Sequence, residues 1–193
     1  MTANPIELFR EAFERAEVRD ELQVNAMTLA TVDEQGRPSA RMVLLKSFDE
    51  RGFVFHTNRS SRKGRELDGQ HVAALCFHWP KGEEQVRIEG TVERVSDEES
   101  DEYFATRPRG SQIGAWASLQ SEELPSRDVL IARVDELEKR YPNEVPRPPN
   151  WGGYRVVPTR IELWKGYADR LHDRRVFERD ASSSGWSERR LYP

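Results

Sequence analysis

Residues 25–57, NAMTLATVDEQGRPSARMVLLKSFDERGFVFHT, decide how the fold is read. Residues 27–32 form a short run of apolar and β-branched residues and are read as a strand. Residues 33–38, DEQGRP, carry Gly and Pro and are read as a turn. A second strand is expected at 40–46, a polar turn at 49–52 and a third strand at 53–57. Short strands joined by short turns are expected to be antiparallel neighbours.

The same pattern continues outward. Strands are expected at 72–79, 85–95, 153–157, 161–165, 171–179 and 186–191. Ile6, Leu8, Phe9, Phe13 and Ala16 recur at near-helical spacing behind Pro5, which predicts a helix over 5–19. A short helix opens within 60–67, and longer helices are expected at 96–107, with Ser96 as N-cap, and at 126–141. The proline-rich stretch 141–149 is a rigid connector, and 181–185, ASSSG, is read as a hairpin loop. The fold class is therefore mostly β, or α+β: a closed or split β-barrel with peripheral helices.

Composition narrows the function. A chain of 193 residues suits one domain, with two small ones as the alternative. Five Trp, eight Phe and five Tyr argue against disorder. The net charge of −4 argues against a generally basic nucleic-acid binder. No apolar run approaches the roughly 20 residues of a membrane helix, and the acidic, amphipathic N-terminus resembles no targeting peptide. Cys76 stands alone, which fits a reducing cytoplasm. The four histidines (His56, His71, His78, His172) lack the spacing of a zinc site, so no metal is expected. No GxSxG, GxGxxG or Walker motif is present.

Three clusters of cations and hydroxyls remain. Strand two carries Arg41 and Lys46, an odd number apart, so an ideal strand turns them to opposite sides. Thr57-Asn58-Arg59-Ser60-Ser61-Arg62-Lys63, at a helix start, suits a phosphate; a solvated basic turn capping a helix gives the same pattern. Tyr103, Arg107 and Ser111 would stack on one helical face, although Pro108 is expected to break that helix. Together they suit a phosphate monoester; the bland alternative is Arg107 paired with a neighbouring carboxylate such as Glu102. Arg170, His172 and Arg174 alternate, so a strand would put them on one face, toward solvent or an anion, with Asp169 and Asp173 as alternative partners. Trp164 nearby either lines an aromatic ligand site or belongs to the core.

Taken in order, these stretches resemble the pyridoxamine 5′-phosphate oxidase family, from about residue 25 to 193. The resemblance rests on NAMTLAT (25–31), RMVLLK (41–46), FHTN (55–58), SRK (61–63), QVR (85–87), Tyr103 through Arg109, SQIGAW (111–116), WGG (151–153), RLHDR (170–174) preceded by Trp164, and the terminal RLYP (190–193). It implies an N-terminal helical segment, 1–24, before an FMN-binding split-barrel oxidase domain, 25–193, and a homodimer with two FMN sites at the subunit interface. By position, it implies that FMN phosphate and ribityl contacts fall on Arg41, Thr57, Ser61, Arg62 and Lys63, with Lys46 and His56 beside them. Met42, Val43 and Leu44 would run along the flavin ring. Gln85, Gln120, Ser121, Trp164 and Arg174 would complete that site, some from the other subunit. The substrate phosphate would fall on Lys46, Tyr103, Arg107 and Ser111. Arg170 and His172 would be the catalytic pair, holding the substrate's pyridine ring against the flavin.

The implied reaction is oxidation of pyridoxamine or pyridoxine 5′-phosphate to pyridoxal 5′-phosphate, with O2 reduced to H2O2. The chain departs from the family pattern at three places. His56 stands where Tyr is common, Gln23-Val24 stands where an acidic residue often precedes Asn25, and the N-terminal segment lacks an Arg-x-x-Tyr lid motif. The rival readings are an FMN-dependent oxidase of another aromatic substrate, such as a phenazine precursor, and a flavin-binding split barrel without turnover. A deazaflavin-dependent reductase on the same barrel would not be expected to carry RLHDR.

Overall fold

The computed structural model describes residues 3–179 and 185–193. The expected loop at 181–185 therefore falls almost wholly outside the described residues. In chain order the elements are α1 (Pro5–Val18), β1 (Ala26–Val32), β2 (Pro38–Leu44), β3 (Ser47–Asp49), β4 (Gly52–Asn58), α2 (Arg62–Gln70), β5 (Val72–Trp79), β6 (Glu84–Arg94), α3 (Asp97–Ala105), α4 (Arg109–Ala117), α5 (Arg127–Arg140), β7 (Trp151–Lys165), β8 (Asp173–Glu178) and β9 (Ser187–Arg190).

The strands form one antiparallel sheet in the order β2-β1-β5-β6-β7-β4-β3, with β8 on β7 and β9 on β8. The sheet curls until the chain just past β2 meets β4, where the Lys46 amide donates to the Val54 carbonyl at 2.8 Å. The result is a split barrel with helices at its periphery, the architecture expected from the strand pattern. α1 starts as its sequence dictates: Asn4 Oδ1 accepts from the Ile6 amide at 3.0 Å, and Pro5 lies in the first turn. Its apolar side, Ile6, Phe9, Ala12 and Ala16, is buried in the same core as the sheet. Phe9 is the hub of that core, with the rings of Phe48, Phe53, Phe77 and Trp79 at 4.9–6.0 Å. Burying such a side chain stabilises the fold by about 1.5–3 kcal/mol.

Three differences from the sequence reading bear on function. β7 is one strand of 15 residues, not two short ones. A register shift at Glu89/Gly90, opposite Pro158, lets it pass through the proline. The helix expected at 96–107 stops at Ala105, and a separate α4 follows Pro108 and carries Ser111. The stretch 168–170 is a 3-10 turn with positive φ at Asp169 and Arg170, so Arg170, His172 and Arg174 do not share a strand face; β8 begins only at Asp173. A small second core of Phe104, Ile113, Val145 and Trp151 holds α3 and α4 to the start of β7. Among the described residues, no helix is long and apolar enough to cross a membrane.

Candidate active site

α2 sets the first part of the site. Ser61 is its N-cap, with Oγ accepting from the Gly64 amide at 3.3 Å. The helix start lies so close to the preceding loop that a Cβ at Gly64 would stand 2.1 Å from the Arg59 carbonyl oxygen, which restricts this position to glycine. The turn aims Lys63 inward. Its buried Nζ donates to Gln120 Oε1 at 3.1 Å, Thr57 Oγ1 at 3.3 Å and Ser61 Oγ at 3.4 Å. All three acceptors are neutral, and burial together with nearby Arg41 pushes the Lys63 pKa below the usual lysine value. Ser121 joins this group by accepting from the Arg62 amide at 3.1 Å.

Arg41 and Arg62 flank this pocket but are not free. Both are tied to the buried Glu66 carboxylate, Arg62 Nε at 2.8 Å and Arg41 Nη2 at 3.2 Å. Arg41 also donates to Thr31 and Ser39.

Next to Lys63 opens a cavity of about 660 Å³, lined by Met42, Val43 and Leu44 on one side and Tyr103, Arg107 and Ser111 on the other. Lys46, His56, Thr57, Gln120 and Trp151 also face it. Met42 and Leu44 are exposed, as the alternating burial of β2 requires. Three near-parallel rings line the wall: His56 lies 4.3 Å from Tyr103 and 5.1 Å from Trp151, and Tyr103 lies 6.2 Å from Trp151. The Arg107 guanidinium sits over Trp151 at 4.7 Å. Its Nη1 is buried without a hydrogen-bond partner, and burial draws its pKa below the usual arginine value. Glu102 does not pair with it. Gly153 makes room for His56 across the strand pair; a Cβ there would meet Val95 Cγ2 at 2.5 Å and His56 Nε2 at 2.9 Å.

Lys46, Lys63 and Arg107 thus face one cavity, and among the described residues none of the three has an ion pair with a carboxylate. Lys63 is buried and Arg107 half-buried, while Lys46 is exposed; an unpaired buried cation is costly, so the cavity suits anions.

A second cluster lies elsewhere. Gln85, Trp164 and Arg174 are opposite one another across β6, β7 and β8. The His172 ring lies 4.7 Å from Trp164, and its Nδ1 accepts from the Tyr167 amide at 3.1 Å, which leaves Nε2 as the donor of a neutral ring. Arg174 pairs with Glu162 at 2.8 Å rather than with Asp169 or Asp173. The Arg170 side chain is exposed and makes no ion pair among the described residues. None of these five residues lines the cavity. Between Trp151, on the cavity, and Trp164 run roughly 40 Å of extended chain.

Sequence reasoning missed Trp151, Glu66 and Glu162 as parts of the site. Glu66 was within reach, four residues from Arg62 on one helix face. Glu162 meets Arg174 only through strand register, and Trp151 reaches His56 only through the β4–β7 pairing.

Residues 15–141 match a family model described as pyridoxamine 5′-phosphate oxidase. Residues 151–193 match one described as the pyridoxine 5′-phosphate oxidase C-terminal dimerisation region. A pyridoxine/pyridoxamine 5′-phosphate oxidase of Myxococcus xanthus is 57% identical over 191 residues, covering 98% of this chain and 92% of the relative. One from Burkholderia mallei is 56% identical, covering 98% and 89%. Among solved structures, PhzG from Burkholderia lata in complex with tetrahydrophenazine-1-carboxylic acid is 34% identical with a TM-score of 0.94, covering 100% of this chain and 94% of that one. An FMN-binding protein from Nostoc punctiforme, related to pyridoxamine 5′-phosphate oxidase, shares the fold with a TM-score of 0.78 at 19% identity, covering each chain fully.

Proposed function

The chain belongs to the pyridoxamine 5′-phosphate oxidase family, and from that premise we propose that it oxidises pyridoxine or pyridoxamine 5′-phosphate to pyridoxal 5′-phosphate, with FMN as cofactor and O2 as acceptor. The alcohol and O2 give the aldehyde and H2O2; the amine, O2 and water give the aldehyde, ammonia and H2O2. The observation that carries this reading is the cavity with three unpaired cations, Lys46, Lys63 and Arg107. Two phosphate monoesters, one on the cofactor and one on the substrate, would supply the missing charge.

The donor set fits FMN. Lys63, Thr57 and Ser61 form a buried, hydroxyl-rich nest with one uncompensated cation, suited to the FMN phosphate. Arg41 and Arg62, fixed by Glu66, add charge at its edge. Met42 to Leu44 offer an extended backbone and apolar side chains to a flat ring, with Gln120 and Ser121 at its polar side. When bound, FMN would supply a two-electron acceptor for the hydride equivalent leaving the substrate's C4′ and an outlet for its electrons to O2. Lys46, Tyr103, Arg107 and Ser111 would anchor the substrate phosphate and orient the ring.

Arg170 and His172 would complete the site from a second copy of the chain, together with Gln85, Trp164 and Arg174. Their separation from the cavity within one chain and the dimerisation-region match support a homodimer. Arg170 would steady charge at the reacting carbon, and His172 Nε2–H would hold the hydroxyl oxygen on the substrate's pyridine ring. Cytoplasmic residence fits this soluble-cofactor chemistry and the single cysteine.

An oxygen-uptake assay comparing phosphorylated and unphosphorylated B6 vitamers tests the proposal. The expected result is a yellow protein that consumes O2 with the phosphorylated forms and yields H2O2. A colourless protein that takes up no added FMN defeats it, and flavin binding without turnover favours the non-catalytic alternative. The likeness to the phenazine-bound structure favours a second reading, oxidation of a reduced phenazine acid. Turnover of such acids in preference to phosphorylated vitamers would select that reading.

A further inference from the structure

His56 stands in β4 with both ring nitrogens shielded and without a hydrogen-bond partner in the chain. A buried polar atom left unpaired is costly, so each such atom calls for an explanation. The ring faces the cavity and stacks on Tyr103 and Trp151. Charged groups act on it from several elements: Lys46 beyond β2, Arg59 beyond β4, and Arg107 beyond α3, opposed by Glu99 of α3. Tyr103 of α3 is the titratable ring in contact, and β7 presents only Gly153 and Trp151. Burial above all, then Lys46 and Arg107, hold the imidazole neutral, with its pKa pushed down to about 4.

Resting on the reading that this cavity takes a phosphate ester, we infer that His56 determines specificity for the charged ligand: it takes up a proton when a dianion sits between Lys46 and Arg107, and adds its charge to theirs. The reason is a reversal of sign. Facing two uncompensated cations, the ring does not accept a third positive charge. Facing their complex with a dianion, it does, because an opposite charge within about 4–6 Å shifts a titrating group by one to three pH units. His56 therefore belongs with the substrate-phosphate cluster as much as with the cofactor. It rewards doubly charged ligands over neutral ones, and, for a ligand that keeps both charges, more so as pH falls.

The test is NMR of the protein labelled with carbon-13 at histidine Cε1, with FMN in excess and sulfate as probe, since sulfate keeps its charge across the range. Four histidines give few signals, and His56→Gln identifies one of them. Without sulfate, His56 should titrate near 4; with saturating sulfate, near 6. Linkage then makes sulfate binding about tenfold tighter at pH 5 than at pH 7, a gain that His56→Gln should lack. Sulfate that binds while the His56 midpoint stays unmoved overturns the inference and leaves the proposed reaction intact. Absence of sulfate binding at any pH overturns the inference, while oxygen uptake with phosphorylated vitamers judges the reaction separately. Should His56→Gln fail to fold, the native protein's resonance still decides, with the other three signals assigned from His71→Gln, His78→Gln and His172→Gln.

Discussion

Most arginines near the barrel end on a carboxylate, as Arg15, Arg41, Arg155, Arg160 and Arg174 do. Arg107 does not: one guanidinium nitrogen is buried and unpaired, and the group lies over Trp151. In the proposed reading its charge is kept for a ligand. Arg107→Ala should raise KM for the phosphorylated substrate about 10- to 100-fold, the worth of a hydrogen bond to a charged group, with little change in kcat, because a handle remote from the reacting carbon contributes uniform binding. Arg107→Lys should fall between, since a point charge replaces a fork. Steady-state kinetics decide, and an unaltered KM removes Arg107 from the substrate site. At this scale the sequence was informative about which residue types cluster, as Tyr103, Arg107 and Ser111 do around the cavity. It was silent on what surrounds them, because Trp151 and His56 meet only through pairing of strands far apart in the chain.

Elements were legible where a local signal decides them. Asn4, Ser61, Ser96 and Ser126 cap their helices through their side chains, and Pro108 ends one helix before another begins. Two elements misled for physical reasons. Two strands, 153–157 and 161–165, are expected on either side of Pro158, but the register shift opposite it absorbs the missing donor and β7 continues. Arg170, His172 and Arg174 imitate a strand period, yet Asp169 and Arg170 adopt φ of 56° and 59°, and the Tyr167 amide is held by His172. The β7–β8 pair depends on Glu162, a buried carboxylate bound by Arg87, Arg160 and Arg174. Burial pushes its pKa up, but the hydrogen bonds from Arg174 and Arg160 outweigh that and hold it below the usual 4.5. A carboxyl with a lowered folded pKa lends stability that is complete above its unfolded value and lost as pH falls toward the folded one. Glu162→Gln should therefore cost roughly 3–5 kcal/mol at pH 7, as when one partner of a buried ion pair is removed, and the deficit should shrink below about pH 4.5. Urea denaturation at both pH values measures this; a deficit that does not change with pH would mean that the charge of Glu162 is not what stabilises the pair.

At the scale of the molecule, the cavity and the Trp164–Arg174 cluster are separate halves on one chain. If a dimer joins the cavity of one copy to the cluster of the other, two crippled variants can repair each other. A mixed dimer of Arg107→Ala and Arg170→Ala chains holds one site with both changes and one with neither. After unfolding and refolding together, such a mixture should regain about a quarter of wild-type activity by random pairing of symmetric subunits. Activity no higher than the mean of the separate variants would place both residues in one subunit's site. The exposed Met42 and Leu44 beside the cavity carry a last consequence. If, as proposed, a ring pigment lies on them between two copies, it glues them together, and colour and assembly then obey reciprocal linkage. Diluting the yellow protein should release fluorescent flavin in step with dissociation into halves, and extra flavin should hold the pair together at concentrations where the bare chains part.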